Sequence, residues 1–219
     1  MNLVNISFLS MMQNENNTFS SIKNHISFQL EQIIEEAEKM QLSIGEKEYC
    51  LLCELAQIRD RFNEIQSTAS FFYLKAYIAE FTSQYIEIAK AIQNLSERRH
   101  GALIVVERHQ NVDHLIQEGI QLNATLSNRL IESIFYPGNP LHDGAVLIKG
   151  DYMISAANVL PLSSQDFGQE KVGTRHRAAI GLSEITDALI LIVSEETGKM
   201  SFALEGTLYP ISTPDSNLQ

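Results

Sequence analysis

The sequence predicts a mixed α/β fold, in which a central mixed β-sheet is wrapped by helices and preceded by an N-terminal α-helical hairpin. Two observations lead to this fold class. Before Gly101, apolar residues recur at spacings of three and four, which is the helical period. After Gly101, short apolar runs alternate with turn signals, which is typical of strands and hairpins. The 219 residues can hold one domain of roughly 100–150 residues and an accessory segment, and we set the boundary between residues 66 and 67.

Three helices are predicted in the N-terminal part of the chain. The first has one apolar face, made of Ile26, Leu30, Ile33, Ile34 and Ala37. Residues 43–46 have the spacing of a capping box, so a second helix over residues 51–62 is expected to form a hairpin with the first. A third, longer pattern covers residues 71–95. Basic residues follow it and lead to Gly101, which is expected to take the left-handed conformation of a helix C-cap.

Five apolar runs are predicted to be strands. The run after Gly101 is continuous and indicates a strand buried on both faces. Gly150-Asp151 and Thr197-Gly198 are turn signals between neighbouring runs, so each pair of runs should form a hairpin. A helix is expected over residues 177–184. Hairpins combined with helices favour a mixed sheet over a purely parallel one. The predicted strands are residues 102–106, 145–149, 152–157, 188–193 and 200–204.

Composition excludes several classes of protein. A formal charge of −11 lacks the broad basic surface of a general nucleic-acid binder, so no nucleic-acid partner is expected. No apolar run approaches the roughly 20 residues that cross a bilayer, and the first residues lack the features of a signal peptide. We therefore expect a soluble, cytoplasmic protein with no membrane partner. Cys50 and Cys53 are interpreted as semi-buried thiols within an amphipathic helix, and a disulfide scaffold is not expected.

The first candidate site is the run Leu141-His142-Asp143-Gly144-Ala145. A constrained Pro-Gly-Asn-Pro turn precedes it and a predicted strand follows, so Asp143 is expected at the end of a strand. A carboxylate there can bind a divalent cation or accept a proton, and Gly144 with Ala145 leaves room for a ligand near the backbone. An Asp-Gly pair alone is also a common turn signal.

The second candidate site lies just before an apolar helical stretch and contains Thr174, Arg175, His176 and Arg177. First-turn backbone N–H groups and arginine side chains are donors that bind phosphate. Each charge-assisted hydrogen bond contributes about 1.5–3 kcal/mol, so several must act together to hold a polyphosphate. The alternative is a solvated basic turn, which is disfavoured because cations are unfavourable at the start of a helix.

A third segment, Ser194-Glu195-Glu196-Thr197-Gly198, follows a predicted strand. By itself it is an ordinary hairpin turn. Beside a metal-nucleotide site, Glu195 or Glu196 would help Asp143 to hold the cation or to remove a proton.

In this order, the three segments resemble the diadenylate cyclase domain, which has Leu-His-Asp-Gly-Ala before a strand and Gly-Thr-Arg-His-Arg-Ala at the start of a helix. The resemblance extends from the third predicted helix to Leu208. It implies that residues 67–219 are a catalytic domain that condenses two ATP molecules into cyclic di-AMP and releases two pyrophosphates.

The resemblance also implies roles for single residues. Asp143 would activate the 3′-hydroxyl of ATP with Mg²⁺ or Mn²⁺, and His142 and Glu196 would add metal contacts. Catalysis would further use Arg175, His176 and Arg177. The residues implied in nucleotide binding are Gly144, Ala145, Thr174, Arg175, His176, Arg177, Ser194, Glu195 and Glu196.

The product implies an assembly, because two identical nucleotides each attack the other's α-phosphate. A face-to-face homodimer would supply one nucleotide from each subunit. Residues 1–66 resemble the helical extension of the soluble, sporulation-associated class, and such a segment is expected to build a larger homo-oligomer and to restrain the productive dimer. Val159 stands before Leu160-Pro161, where many relatives have an aromatic residue, which departs from the pattern for adenine stacking.

Two alternatives belong to other functional classes. One is a module that senses ATP or a dinucleotide without reacting it, and the other is a helical scaffold whose basic turn only packs. The presence of Asp143 together with the complete Arg-His-Arg run favours the enzyme over both.

Overall fold

The computed structural model describes residues 15–44, 50–117, 119–165 and 172–211 of the chain. These described residues fall into two compact units, one up to Tyr73 and the other from Leu74 to Ile211. The boundary that the sequence predicts between residues 66 and 67 falls within a continuous helix and stays a prediction.

Two long helices come first, α1 (Glu15–Ser43) and α2 (Leu51–Ala79). The Arg61 guanidinium on α2 binds the Glu36 carboxylate on α1 at 2.6 Å and donates to the Gln29 amide oxygen at 3.3 Å. The predicted ends of the second and third helices were wrong, because α2 continues without a break to Ala79. Part of the predicted break at residues 43–46 lies outside the described residues.

The sequence predicts a break between its second and third helices, after residue 62. In the structure this break lies later in the chain, between α2 and α3 (Tyr85–Arg98), and the Asp151 carboxylate explains it. Thr82 Oγ1 and Ser83 N each donate to Asp151 Oδ1 at 2.8 Å, and Ser83 Oγ donates to Oδ2 at 2.7 Å. The Ser83 hydroxyl, followed by that of Thr82, lowers the pKa of Asp151. These polar side chains bond outside the helix, so the chain leaves the helical path here.

The cap predicted at Gly101 is also wrong, since α3 ends at a different residue. Arg99 has φ 54° and is the left-handed C-cap, and its N–H donates to Ser96 O at 3.0 Å. Gly101 is not among the residues with positive φ in the described part. A glycine at position 101 therefore has a reason other than backbone conformation.

The second unit contains a seven-stranded sheet in the order β2-β4-β3-β1-β5-β6-β7. Among the described strands, only β1 and β3 pair in parallel, and the remaining neighbours are antiparallel, so the predicted mixed sheet is confirmed. Two further helices are α4 (Asn128–Ile134) and α5 (Thr174–Ile185). The strands are β1 (Ala102–Val106), β2 (Ile120–Thr125), β3 (Ala145–Lys149), β4 (Tyr152–Asn158), β5 (Leu189–Val193), β6 (Met200–Leu204) and β7 (Thr207–Ile211).

The centre of the sheet is the core of this unit. Every residue of β1 and β5 is buried, and α3 and α5 both contact β5. This is the burial pattern expected for a strand covered on both faces. One apolar cluster joins α5 to the two central strands through Ala178, Ala179, Leu182, Leu103, Val105, Ile190 and Ile192.

The interpretation of the cysteines as semi-buried thiols was wrong. Cys50 and Cys53 are exposed and form a disulfide with a Cα–Cα distance of 5.3 Å. Cys50 directly precedes α2, and a residue three positions later in the first helical turn comes close enough for the bond.

Candidate functional site

Three strands of the sheet bring their ends into one row. In the parallel pair of β1 and β3, Ile104 lies opposite Val146. Two residues earlier on each strand, the same register places Ala102 beside Gly144. In the antiparallel pair of β1 and β5, Ala102 lies opposite Val193. One row across three neighbouring strands therefore ends at Gly144 on one side and at Val193 on the other.

The residues just beyond this row are Asp143, Gly101 and Ser194. We call this end of the three strands the site edge; it is not an outermost strand of the sheet. Gly101 lies in the middle, because β1 lies between β3 and β5. Neighbouring strands are about 4.8 Å apart, so the backbones at Asp143 and Ser194 are roughly 10 Å apart. The sheet thus brings the first and third sequence motifs to one edge.

Asp143 and His142 are the acidic and imidazole groups of the site edge. The Asp143 side chain is exposed. His142 Nδ1 lies 2.6 Å from the Asn139 carbonyl oxygen, which only accepts hydrogen bonds. Nδ1 therefore carries the proton of a neutral His142 ring, and Nε2 keeps a lone pair that can accept a proton or a metal ion.

The loop that carries Asp143 is pressed against the end of β4. Gly144 has φ 109°, and a Cβ there would lie 2.7 Å from the Ala157 carbonyl carbon, so only glycine fits. The buried Asn158 side chain donates to Ala145 O at 2.8 Å and accepts from Gly119 N at 3.0 Å. Asn158, which no sequence motif indicated, fixes the start of β3 and with it the position of Asp143.

A cavity of about 790 Å³ opens between the start of α5 and the turn after β5. It combines basic, acidic and apolar side chains. The lining residues are Val172, Gly173, Thr174, Arg175, His176, Val193, Ser194, Glu195, Glu196, Thr197, Lys199 and Leu208.

The start of α5 offers free backbone donors to this cavity. Gly173 is the N-cap and has no side chain to accept from the first-turn N–H groups. The first intrahelical bond runs from Arg177 N to Gly173 O at 3.0 Å. The N–H groups of the preceding residues have no carbonyl partner within the helix, which is the usual arrangement at an anion-binding helix start.

Arg175 and His176 add side-chain donors. Arg175 Nη1 lies 3.0 Å from Glu195 Oε2 across the cavity. Burial, and then the charge of Arg175, lowers the pKa of His176 below its ordinary value. His176 is therefore neutral near pH 7 and presents one N–H donor and one acceptor.

Arg177 occupies a different position. Its Nη2 donates to Ser163 O at 3.1 Å, and Ser163 N donates back to Arg177 O at 3.0 Å. Its Nε is buried and has no hydrogen-bond partner in the described part of the chain. Arg177 ties α5 to the segment after β4 and retains one donor for a further group.

The structure thus gathers part of the predicted site into one cavity. Thr174, Arg175, His176, Ser194, Glu195 and Glu196 line it, whereas His142, Asp143, Gly144, Ala145 and Arg177 are not among the described lining residues. Sequence reasoning missed Lys199 and Leu208. For Lys199 a signal existed, since it is a cation directly after the Ser-Glu-Glu-Thr-Gly turn.

The donor set is compatible with a divalent cation of the Mg²⁺ type. Across residues 15–44, 50–117, 119–165 and 172–211, the structure forms no group of three or more His, Cys, Asp or Glu side chains that would hold a metal by themselves. Mg²⁺ commonly binds through one or two carboxylates together with substrate phosphates and water. The exposed carboxylate of Asp143 is suited to that kind of binding.

None of the helices in the described ranges combines the length and apolar character that a bilayer crossing requires.

Two protein-family models match the chain. A model described as the DisA bacterial checkpoint controller nucleotide-binding domain matches residues 89–208, which include all three motifs. A model of the N-terminal region of the diadenylate cyclase CdaS matches residues 12–81. The second match confirms that the N-terminal helices belong to the predicted class of extension.

Similar proteins match over nearly their whole length. Cyclic di-AMP synthase CdaS of Bacillus subtilis is 52% identical over 206 residues, which cover 94% of this chain and 99% of that protein. Diadenylate cyclase CdaS of Bacillus thuringiensis is 51% identical over 195 residues, covering 87% and 97%. A crystal structure described as a hypothetical membrane spanning protein from Bacillus cereus is 49% identical with a TM-score of 0.70, covering 89% of this chain and 95% of that one. The chain belongs to the diadenylate cyclase family.

Proposed function

We propose that this protein condenses two ATP molecules into cyclic di-AMP, releases two pyrophosphates and requires Mg²⁺ or Mn²⁺. The observation that carries the proposal is the cavity in which the donor-rich start of α5 faces the acidic turn after β5. Its volume of about 790 Å³ lies within the range of roughly 300–1,000 Å³ that small-molecule sites occupy. The likeness to synthases of cyclic di-AMP over nearly the whole chain supports the same reaction.

The triphosphate is assigned to the start of α5. Free N–H groups, the Arg175 guanidinium and the neutral His176 ring are donors that suit phosphate oxygens. Arg177 is not among the described residues that line the cavity and is assigned a supporting role, because its side chain ties α5 to Ser163 O. Together the donors that line the cavity would hold the pyrophosphate as negative charge develops on it.

In each of two equivalent steps, a 3′-oxygen forms a bond to the α-phosphorus of the other nucleotide, and the bond from that phosphorus to pyrophosphate breaks. We assign Asp143 the task of drawing away the proton of the 3′-hydroxyl. A Mg²⁺ or Mn²⁺ ion held by Asp143, His142 and the substrate phosphates, with Glu196 as a further candidate ligand, would make that hydroxyl more acidic and neutralise phosphate charge. Gly144 packs against Ala157 of β4, and Ala145 is buried, so these two residues hold Asp143 in place and do not leave open space for the nucleotide.

A homodimer is part of the proposal. The product has two-fold symmetry, so two subunits facing each other would each contribute one nucleotide. Asp143 lies at the site edge but is not among the described residues that line the cavity of its own subunit, which supports a reaction plane between subunits.

A larger homo-oligomer is proposed for the N-terminal helices, in the cytoplasm. Apolar side chains on α1 and α2 are exposed, and exposed apolar surface favours association. These residues include Phe28, Ile34, Leu52, Leu55 and Phe62.

The test is incubation with ATP and MnCl₂, followed by identification of products by liquid chromatography and mass spectrometry. Cyclic di-AMP and pyrophosphate should appear in a 1:2 ratio, as the balanced reaction requires, and the Asp143→Asn variant should form far less of both. ATP binding with no product under Mg²⁺ or Mn²⁺ would instead support the sensing module.

A further inference from the structure

The guanidinium of Arg175 packs directly against Gly101. A Cβ at position 101 would lie 2.5 Å from Arg175 Nη1 and 2.9 Å from its Cζ. Ordinary contacts between such atoms are about 3.5–4.0 Å. The guanidinium therefore rests on the bare Cα of Gly101, in the middle of the site edge.

The need for glycine here is steric. Gly101 is buried and is not among the described residues with positive φ, so other residues could adopt its backbone conformation. The space above it is already filled by Arg175 and by Glu195, whose Cβ would lie 3.0 Å from the added carbon. Any larger residue must displace one of these two side chains.

Glu195 holds the same guanidinium from the side, through the 3.0 Å contact to Nη1. The Glu195 side chain is 61% exposed, and an exposed pair contributes little to stability. The pair also brings a carboxylate close to a cation that the start of a helix would otherwise disfavour. Its main physical effect is to fix the direction of Arg175.

We propose that Gly101 and Glu195 are positioning residues that fix Arg175 in the orientation for binding the triphosphate. Gly101 sets the depth of the guanidinium and Glu195 sets its direction, so that donors other than Nη1 face the nucleotide. This inference rests on the proposed function, because it assigns Arg175 to the phosphates of ATP.

The first test is Gly101→Ala. The two nearest atoms belong to the far end of the flexible Arg175 side chain, and Glu195 Cβ at 3.0 Å needs to shift by only a few tenths of an ångström. Arg175 should therefore move while the fold persists, with a melting temperature within about 4 °C of the wild type. The probe is 3′-deoxy-ATP, which lacks the attacking hydroxyl and reports binding alone. Loss of one charge-assisted contact predicts a Kd raised about tenfold or more by isothermal titration calorimetry.

A double-mutant cycle separates positioning from damage to the fold. If Gly101 acts through Arg175, then Gly101→Ala should have no further effect on the Kd in an Arg175→Ala background. Equal factors in both backgrounds, or a wild-type Kd for Gly101→Ala, would overturn the proposal.

Two variants test Glu195. Glu195→Gln keeps an acceptor oxygen, and its Kd should stay within about twofold of the wild-type Kd. Glu195→Ala should have a Kd several-fold higher than that of Glu195→Gln. Tighter binding by Glu195→Ala would show that the carboxylate competes with phosphate, which contradicts a positioning role. Failure of wild-type protein to bind 3′-deoxy-ATP would instead count against the proposed function, so the two failures are distinguishable.

Discussion

The two edges of the sheet use charged side chains in different ways. The far edge, opposite the site edge, carries the ends of β1 and β3 and the start of β5. There Lys149 Nζ binds Glu107 at 2.9 Å and Asp113 at 2.6 Å. Asp151 accepts three hydrogen bonds, and Asp187 accepts two from backbone N–H groups. The charged groups of the far edge thus join loops to strands.

At the site edge, charged groups are left available. Asp143, Glu196 and Lys199 are exposed, and within the described part of the chain their side chains make no ion pair or hydrogen bond. Arg175 and Glu195 are the exception. The same sheet therefore carries charges that stabilise the fold at one edge and charges that await a ligand at the other, which is where departures from full pairing are expected in a functional protein.

The largest expected effect that separates the edges is on turnover. Asp143→Asn should lower the rate of cyclic di-AMP formation by about 10²–10⁴-fold, because the hydroxyl proton loses its acceptor. The melting temperature should not fall, since Asp143 makes no described bond. Asp113→Asn is the matched change at the far edge and should leave the rate unchanged. A comparable loss of rate in Asp143→Asn and Asp113→Asn would show that the two edges do not differ in their effect on turnover.

The converse change should affect stability and spare activity. Lys149→Met keeps a long side chain but leaves Glu107 and Asp113 without their shared cation. The Lys149 side chain is 22% exposed and that of Glu107 is 15% exposed, so the free energy of unfolding should fall by about 1–3 kcal/mol in a urea titration.

The matched control for Lys149→Met is Arg59→Met, which removes an exposed pair with Asp60 and should cost less than about 1 kcal/mol. A marked loss of turnover in Lys149→Met at 25 °C, well below its melting temperature, would show that the far edge also serves catalysis.

The N-terminal helices provide a third test. Removal of residues 1–66 should raise specific activity several-fold if they restrain the productive dimer. Arg61→Ala, which breaks the contact of α2 with Glu36 and Gln29, should do so to a smaller degree. The measurement is initial rate at equal monomer concentration, with circular dichroism to verify the fold. A folded truncation with unchanged or lower activity would contradict restraint.

The smallest effect concerns His176 and pH. Burial, followed by the charge of Arg175, lowers the pKa of His176, so the unfolded chain binds its proton at higher pH than the folded one. As pH falls from about 6.5 towards the lowered pKa, the folded protein loses stability relative to the unfolded chain. His176→Gln should reduce the loss in unfolding free energy between about pH 7.5 and about pH 5.5. An unchanged pH dependence would argue against this assignment.

Much of the fold follows from local sequence patterns. The central strand β1 and both hairpins were predicted correctly, because continuous apolar runs and tight turns are local signals. The outermost strands of the sheet, β2 and β7, were missed. Strand β2 is largely exposed with a bulge near Asn123, and β7 contains Pro210. The helix α4 was missed although Ser127 caps it by accepting from Leu130 N at 3.3 Å.

The site was harder to predict than its motifs. The residue types around Asp143 and Arg175 indicated phosphate and metal chemistry. Their arrangement depends on strand pairing between distant segments, which one sequence does not reveal. Gly101 is the clearest case, because local reasoning explained it as a helix cap, whereas its role follows from Arg175 and Glu195, which reach it only in the folded chain.

The row that joins Gly144, Ala102 and Val193 has a consequence for how such a protein tolerates changes in length. Adding or deleting one residue within β1 would shift Gly101 relative to both neighbouring strands and turn every later side chain of that strand to the opposite face. A change of length in the far-edge loop after Glu107 leaves the row untouched. Natural and engineered changes of length should therefore accumulate in the loops of the far edge, while the length of β1 stays constant.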